Sequence, residues 1–228
     1  MSDQWTYDAI AGEFDSIMNR YDLNRRLDAV FDRMLGDVDL NGKKVLDAGC
    51  GTGFFSAQAA RRGASVTGLD VGVALLREAR RKGITAVVAG DAARMPIPDG
   101  CFDVVVSSEC IEHTPSPRDT LRELIRVIRP GGWLAITCPN AIWRWSCTVA
   151  NTLHLRPYKG LENWPGWGQL RSWAGEGGME VRQHFGLHLF PFVIRSSHSA
   201  LRLLDRMGHR LGRVYVNQCL LGQKMGGA

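Results

Sequence analysis

Apolar residues along this chain fall into two alternating rhythms. Short unbroken runs at Val45–Leu46, Ser65–Leu69, Ala86–Ala89, Val104–Ser107 and Trp133–Thr137 read as strands. Between them, from about Phe54 to Arg62, Val71 to Lys82 and Ser116 to Ile128, apolar positions recur at helical spacing. In the second of these, Val71, Ala74, Leu75 and Ala79 form one stripe. Strand and helix in regular alternation predict an α/β fold, a mostly parallel sheet with helices on both faces. Residues 2–35 are helical in pattern, and Asn41-Gly42 turns the chain into the first strand. Gly83 ends the second core helix, and Arg129-Pro130-Gly131-Gly132 is expected to break the chain before the fifth strand. Val181–Phe185 and Val214–Lys224 read as two closing strands. Ser199–Leu211 between them reads as one amphipathic helix, with Leu201, Leu204, Met207 and Leu211 on its apolar face.

The first strand-to-helix turn carries the most chemistry: Asp47-Ala-Gly49-Cys-Gly51-Thr-Gly53-Phe54-Phe55. Glycine reaches backbone angles closed to other residues and lets a ligand approach the main chain. Asp70 ends the second strand about 20 residues past the turn, the arrangement that holds a ribose diol in a doubly wound sheet. An adenosine-containing cofactor is therefore expected. The dinucleotide fingerprint needs a third glycine where Phe54 stands, and no lysine with Ser/Thr of the P-loop type follows. A nicotinamide oxidoreductase is thereby disfavoured.

The run Asp47–Phe55, taken with Asp70, resembles the first motif of class I S-adenosylmethionine-dependent methyltransferases. Met95-Pro-Ile-Pro-Asp-Gly-Cys-Phe-Asp103 with its following strand, and the Arg129–Gly132 break, are similar to two further stretches of that family. The specific likeness covers about residues 41–138 and is closest to the type 11-like members, among them O-methyltransferases of ubiquinone biosynthesis. It implies a Rossmann-like, seven-stranded methyltransferase fold in one domain. Its parts would be a helical lid (1–40), a cofactor-binding core (41–138), a Trp-rich substrate cover (139–175) and a C-terminal completion of the sheet (176–228). The resemblance also implies S-adenosylmethionine as cofactor. Asp47, Gly49, Gly51 and Gly53 would lie on its methionine side, Asp70 on the ribose, Asp91 on the adenine amino group and the Ala92 amide at a ring nitrogen. Ser107 would join them from the end of a central strand, Tyr7 would cover the cofactor, and Arg20 would meet its carboxylate. The other reading of Asp91 is a helix cap, with the adenine role favoured beside Asp47 and Asp70, and that of Tyr7 and Arg20 is packing.

Composition narrows the class. Over 228 residues, 45% hydrophobic and 22% charged content is that of a soluble globular protein. No basic segment followed by an apolar one opens the chain, so no signal peptide is expected, and no run approaches the roughly 20 apolar residues of a membrane helix. Six cysteines without a C-x-x-C pair fit reduced thiols in the cytoplasm. The net charge of +5 is uneven: residues 1–40 carry 9 acidic and 4 basic groups, residues 141–228 carry 4 and 11. The basic third suits an anionic partner, such as a lipid headgroup or phosphate, through peripheral membrane contact, or else is a solvated surface. Trp143, Trp145, Trp164, Trp167 and Trp173 cluster there and suggest a substrate with an apolar or ring portion, or a flap packed on the core.

Methylating a hydroxyl requires removing its proton, with a base or a metal. The candidates stand together in Glu109-Cys-Ile-Glu112-His113. In a helix, Glu109, Glu112 and His113 would share one face. The run resembles the Glu-x-x-Glu-His motif of metal-dependent ubiquinone-biosynthesis O-methyltransferases and of small-RNA 2′-O-methyltransferases. That likeness implies a divalent ion such as Mg2+ on the three side chains. The other reading gives His113 and Glu112 acid–base or packing roles. His154, His184 and His188 are candidate distal partners, with His184 and His188 on one strand face, or else lone surface or core histidines. The expected activity is methyl transfer to a small-molecule, lipid-linked or glycan acceptor, most readily to oxygen. An RNA 2′-O-methyltransferase and a non-catalytic cofactor-binding partner subunit are the alternatives. DNA is not an expected partner, and nucleic acid is disfavoured because the tryptophans do not sit in a basic run.

Overall fold

A computed structural model of the chain describes residues 11–146, 161–190 and 198–226. The strands are β1 (Lys44–Ala48), β2 (Ser65–Asp70), β3 (Ala86–Ala89), β4 (Phe102–Ser108), β5 (Ile128–Pro139), β6 (Met179–Leu187) and β7 (Asn217–Lys224). They form one sheet in the order β3-β2-β1-β4-β5-β7-β6. The first five pair in parallel, and β7 runs antiparallel between β5 and β6. Side chains alternate across a strand, and here both directions are buried. Leu46, Val105, Leu134, Ile136 and Leu220 face one core, while Val45, Val104, Val106, Ala135 and Leu221 face the other. This is why the central runs are apolar without alternation.

The helices are α1 (Phe14–Ile17), α2 (Arg20–Leu27), α3 (Phe54–Arg61), α4 (Val73–Arg81), α5 (Pro117–Arg126), α6 (Trp167–Glu176), α7 (His198–Leu204) and α8 (Gly208–Leu211). α2 continues as a wider π-type turn over Asp28–Met34, whose Ala29, Val30, Phe31 and Met34 are buried against Phe55 and Ala59 of α3. α5 and α6 cover the opposite face with Leu121, Leu124, Ile125, Leu170 and Ala174. Ser116 caps α5, its Oγ accepting from the Asp119 amide, and Pro117 opens the helix.

Two expectations are corrected. Arg129–Gly132 does not precede the fifth strand but lies within it. The pairing runs from Phe102–Ile128 to Val104–Trp133, so Asp103 stands opposite the four residues as a bulge. Ser199–Leu211 is not one helix. α7 ends at Leu204, a tight turn holds Asp205–Met207, and α8 starts at Gly208. Asp205 turns inward, where its carboxylate accepts from Arg25 and from the His188 amide. Leu201 is buried, but Met207 and Leu211 are 40% and 48% exposed, so the four residues do not share a buried face. Among the described residues no helix is long and apolar enough to cross a membrane.

Candidate active site

Strand order reverses between β1 and β4, and a crevice outside the carboxyl ends of the strands is the consequence of such a reversal. A cavity of about 420 Å³ lies there. Its floor is the turn after β1, where Gly49 and Gly51 hold φ of 76° and 52°, angles that favour glycine. A Cβ on Gly49 would stand 2.5 Å from the Cys110 sulfur, so the close approach of the two loops requires glycine. A Cβ on Gly51 would meet only the Phe14 ring at 3.8 Å, so the backbone there is bare toward the cavity. Asp70, at the end of β2, accepts the Gly51 amide on Oδ2 and the Gly72 amide on Oδ1, each at 2.8 Å. Gly90, Asp91 and Ala92 form the far wall. The Asp91 Oδ1 accepts from the Ala93 amide at 2.8 Å, so the cap-like bond and the wall position coexist. Bare backbone beside two fixed carboxylates suits an adenosine-bearing group.

Five of the expected cofactor or catalytic residues do not line this cavity. Asp47 is buried beneath the turn, where Ser56 Oγ donates to it at 2.6 Å, and burial, offset in part by that bond, pushes its carboxyl up to about 6. Gly53 caps α3 and packs on Ala79 and Ile84. Ser107 points into the interior, and its neighbour Ser108, on the opposite face of the strand, takes the wall position. Arg20 is exposed, its guanidinium 5.6 Å from the Phe54 ring. Glu112 is buried behind the wall. Tyr7 and His154 lie outside the described residues.

The N-terminal segment supplies what those positions do not. Phe14, Ile17, Met18 and Leu23 close one side of the cavity, and Arg26 enters it from α2. Asp15 pins this segment to the turn by accepting from Thr52 Oγ1 at 2.6 Å and pairing with Lys82 at 2.5 Å. Arg26 is 8% exposed and paired with Asp22, and its Nη1 donates to Ser108 at 2.9 Å. Asp22 also receives the His188 ring at 3.1 Å. Burial alone would raise its carboxyl, but Arg26 and His188 outweigh that and hold it below the usual range. The signal for Arg26 was present: with Leu23 and Val30 it falls at i, i+3 and i+7, so the charge sits on the apolar stripe.

Glu109, Glu112 and His113 do not form the expected helical face. Glu109 has φ of 51° as the chain leaves β4, and only Ile111–His113 makes a single 3₁₀ turn. Glu109 faces the cavity, its Oε1 accepting from Asn217 at 3.0 Å and from Thr137 at 3.2 Å. Donors run in sequence from Arg26 through Ser108 and Thr137 to this carboxylate. Burial, opposed by the Arg26 charge, raises the Glu109 carboxyl. Burial and the neighbouring Glu109 raise Glu112 much further, and Glu112 Oε2 finds no hydrogen-bond partner among the described residues. Among the described residues no three His, Cys, Asp or Glu side chains are grouped to hold a cation, so Glu109, Glu112 and His113 as placed do not form the expected Mg2+ site. His113 lines the cavity, with Nδ1 3.0 Å from the Leu161 carbonyl and Nε2 3.8 Å from Glu112.

The remaining histidines and the tryptophans lie elsewhere. His184 stacks on Trp167 at 3.5 Å, and burial lowers it to about 4. His188 lies beyond the end of β6 with φ of 60°, fully buried against Asp22. Trp143 donates to the Val214 carbonyl and stacks with Trp145, while Trp173 packs on the core. None of the five tryptophans lines the cavity, and Trp164 and Trp173 instead line a neighbouring cleft.

Comparison with known proteins identifies the family of the chain. The family described as "Methyltransferase domain" matches residues 46–136. A ubiquinone biosynthesis O-methyltransferase from Pseudomonas aeruginosa is 37% identical over 170 residues, covering 68% of this chain and 72% of the relative. A demethylmenaquinone methyltransferase from Beutenbergia cavernae is 38% identical over 135 residues, 56% of each chain. Among solved structures, an S-adenosylmethionine-dependent methyltransferase from Thermotoga maritima shares the fold with a TM-score of 0.70 at 17% identity, covering 97% of this chain and 99% of that one.

Proposed function

This chain belongs to the class I S-adenosylmethionine-dependent methyltransferases, and from that premise we propose that it methylates a hydroxyl on a quinone-like ring of a small or lipid-linked acceptor. The names of the two curated relatives, both of quinone biosynthesis, support the acceptor class. The observation that carries the reading is His113 on the cavity wall with its ring oriented by the Leu161 carbonyl. A carbonyl accepts only, so Nδ1 carries the proton and Nε2 is the basic nitrogen of the neutral ring.

Bound S-adenosylmethionine supplies an electrophilic methyl group on a sulfonium. Asp70 would hold its ribose, the bare backbone of Gly49 and Gly51 its methionine side, and Asp91 with the Ala92 amide its adenine. Arg26, in place of Arg20, would meet its carboxylate. Phe14, Ile17 and Met18 give the same space an apolar side. His113 Nε2 takes the acceptor's proton, while the walls hold the hydroxyl in line, an alignment worth roughly 7–11 kcal/mol. Contact with a lipid-linked acceptor is supported by exposed Ile142, Trp145, Leu211 and Val214 beside Arg144, Arg210 and Arg213. The segments join where Asn140 and Trp143 donate to the Arg213 and Val214 carbonyls. Buried free cysteines such as Cys50, Cys138 and Cys219 fit a reducing, cytoplasmic setting.

The test is transfer of labelled methyl from S-adenosylmethionine to catechol-type acceptors, with and without EDTA. Label on oxygen is expected, insensitive to EDTA. His113→Ala should lower kcat by about 100-fold or more with cofactor affinity retained. Label on ring carbon, no label on any catechol, or full activity in that variant would overturn the assignment.

A further inference from the structure

Residues 198–214, which close the fold, present one face inward and another to solvent. α7, the turn Asp205–Met207, α8 and a further tight turn at Gly212–Val214 follow one another without a break. Leu201, Asp205, Gly208 and Gly212 recur every three or four residues along this path, and all four are buried. The two glycines press on β6: a Cβ on Gly208 or Gly212 would stand 2.2 Å or 2.7 Å from the Gly186 backbone. The inward stripe therefore seats the segment on the sheet, and the other face is not needed for packing.

That other face carries Leu203, Met207, Leu211 and Val214 at the same helical spacing, each between 40% and 62% exposed. Each follows directly on an exposed arginine, at Arg202, Arg206, Arg210 and Arg213. The one carboxylate of the segment, Asp205, is turned inward to Arg25, so nothing along the segment offsets the four positive charges. Apolar side chains scattered singly over a surface are ordinary, but a regular row of them beside a row of guanidiniums suits a helical segment lying in a lipid headgroup layer. The apolar row continues onto the loop after β5. There Trp143 donates to the Val214 carbonyl and stacks on Trp145, which is exposed beside Ile142. Indoles favour the boundary between headgroups and water. The face also adjoins the cavity: β7 starts at Asn217, three residues past Val214, and Asn217 donates to Glu109 on the cavity wall.

We propose that the outward face of residues 202–214, extended by Ile142 and Trp145, docks this chain peripherally on an anionic lipid surface. The arginines meet headgroup phosphates, and the apolar row enters the boundary between headgroups and acyl chains. Charge selects this occupant. A second copy seated on the same face would set arginines against arginines, and a nucleic acid would pair the arginines but leave the apolar row in water. The inference goes beyond the methyl-transfer reading and holds whichever acceptor takes the methyl group.

The test is co-sedimentation of the full chain with vesicles of phosphatidylcholine alone and of phosphatidylcholine with about one third phosphatidylglycerol. Binding to the anionic vesicles should be about tenfold tighter or more, and should weaken as salt is raised. Arg202→Gln with Arg206→Gln should lower that binding about tenfold. Leu203→Ser with Met207→Ser should lower it by a similar factor, and neither pair should move the melting temperature, because all four side chains face solvent. Equal binding to the two vesicles, or none to either, would overturn the proposal. So would arginine-dependent binding of single-stranded RNA in place of vesicles, or a dimer in solution that forms in place of vesicle binding and is lost with Leu203→Ser. Vesicle binding by a chain that methylates no catechol would keep this face and remove the methyl-acceptor reading instead.

Discussion

A carboxyl group's environment here decides its role more than its place in a motif. Asp47, next to last in β1, and Asp70, last in β2, both stand beside the glycine turn, yet one is sealed beneath it and the other forms the cavity wall. Burial pushes the Asp47 carboxyl up to about 6 from its ordinary 3.8, so between those pH values the folded chain binds more protons than the unfolded one. Stability contributed by this group is therefore present below about pH 4 and falls as pH rises through 6. Asp47→Asn keeps an acceptor for Ser56 and removes the charge. Its stability relative to the parent should rise by about 2 kcal/mol between pH 4.5 and 7.5, read from urea midpoints. A difference independent of pH would contradict this. The place of Asp70, Asp91, Gly49 and Gly51 on the cavity wall was legible in the sequence, because strand ends and turn spacing fix them locally. The burial of Asp47, Ser107 and Glu112 was not, because strand pleat and the path of the Glu109 turn decide which of two neighbours faces the cavity.

At the scale of elements, α2 is clasped onto the C-terminal half by buried polar groups. Asp22 holds Arg26 and His188, and Asp205 holds Arg25 and the His188 amide. Asp22→Ala would leave Arg26 buried without its counter-charge, which costs about 3–5 kcal/mol. Chemical denaturation should show that loss, and a loss below about 1 kcal/mol would mean the pair is not the clasp. Ser116→Ala removes the α5 cap and should cost about 1 kcal/mol, read from the same transition. The core helices were legible because their apolar stripes are long and regular. The single helix expected over Ser199–Leu211 was not realised. Local periodicity carries no trace of Asp205 turning inward to partners 180 and 17 residues away.

Across the whole molecule, the parallel half of the sheet builds the cavity, and the antiparallel β7 and β6 complete it with Asn217 behind Glu109. The closing segment fits by glycine contacts: a Cβ on Gly208 would stand 2.2 Å from the Gly186 carbonyl oxygen. Gly208→Ala should cost about 1–3 kcal/mol by overpacking, visible as a lower melting temperature, and an unchanged melt would show that α8 docks loosely. Element order, and with it the family fold, was readable from alternating patterns and turn spacing. The reach of Arg26 into the cavity and the seating of the tryptophans outside it depend on packing between distant segments, which no local pattern records. The central claim is that the space between β1 and β4 holds S-adenosylmethionine through Asp70, and calorimetric titration of the cofactor tests it most directly. One site per chain is predicted, with Asp70→Ala weakening it about 10- to 100-fold, since a hydrogen bond to a charged group is worth roughly 1.5–3 kcal/mol. No binding by the parent chain, or equal affinity in the variant, would contradict the account.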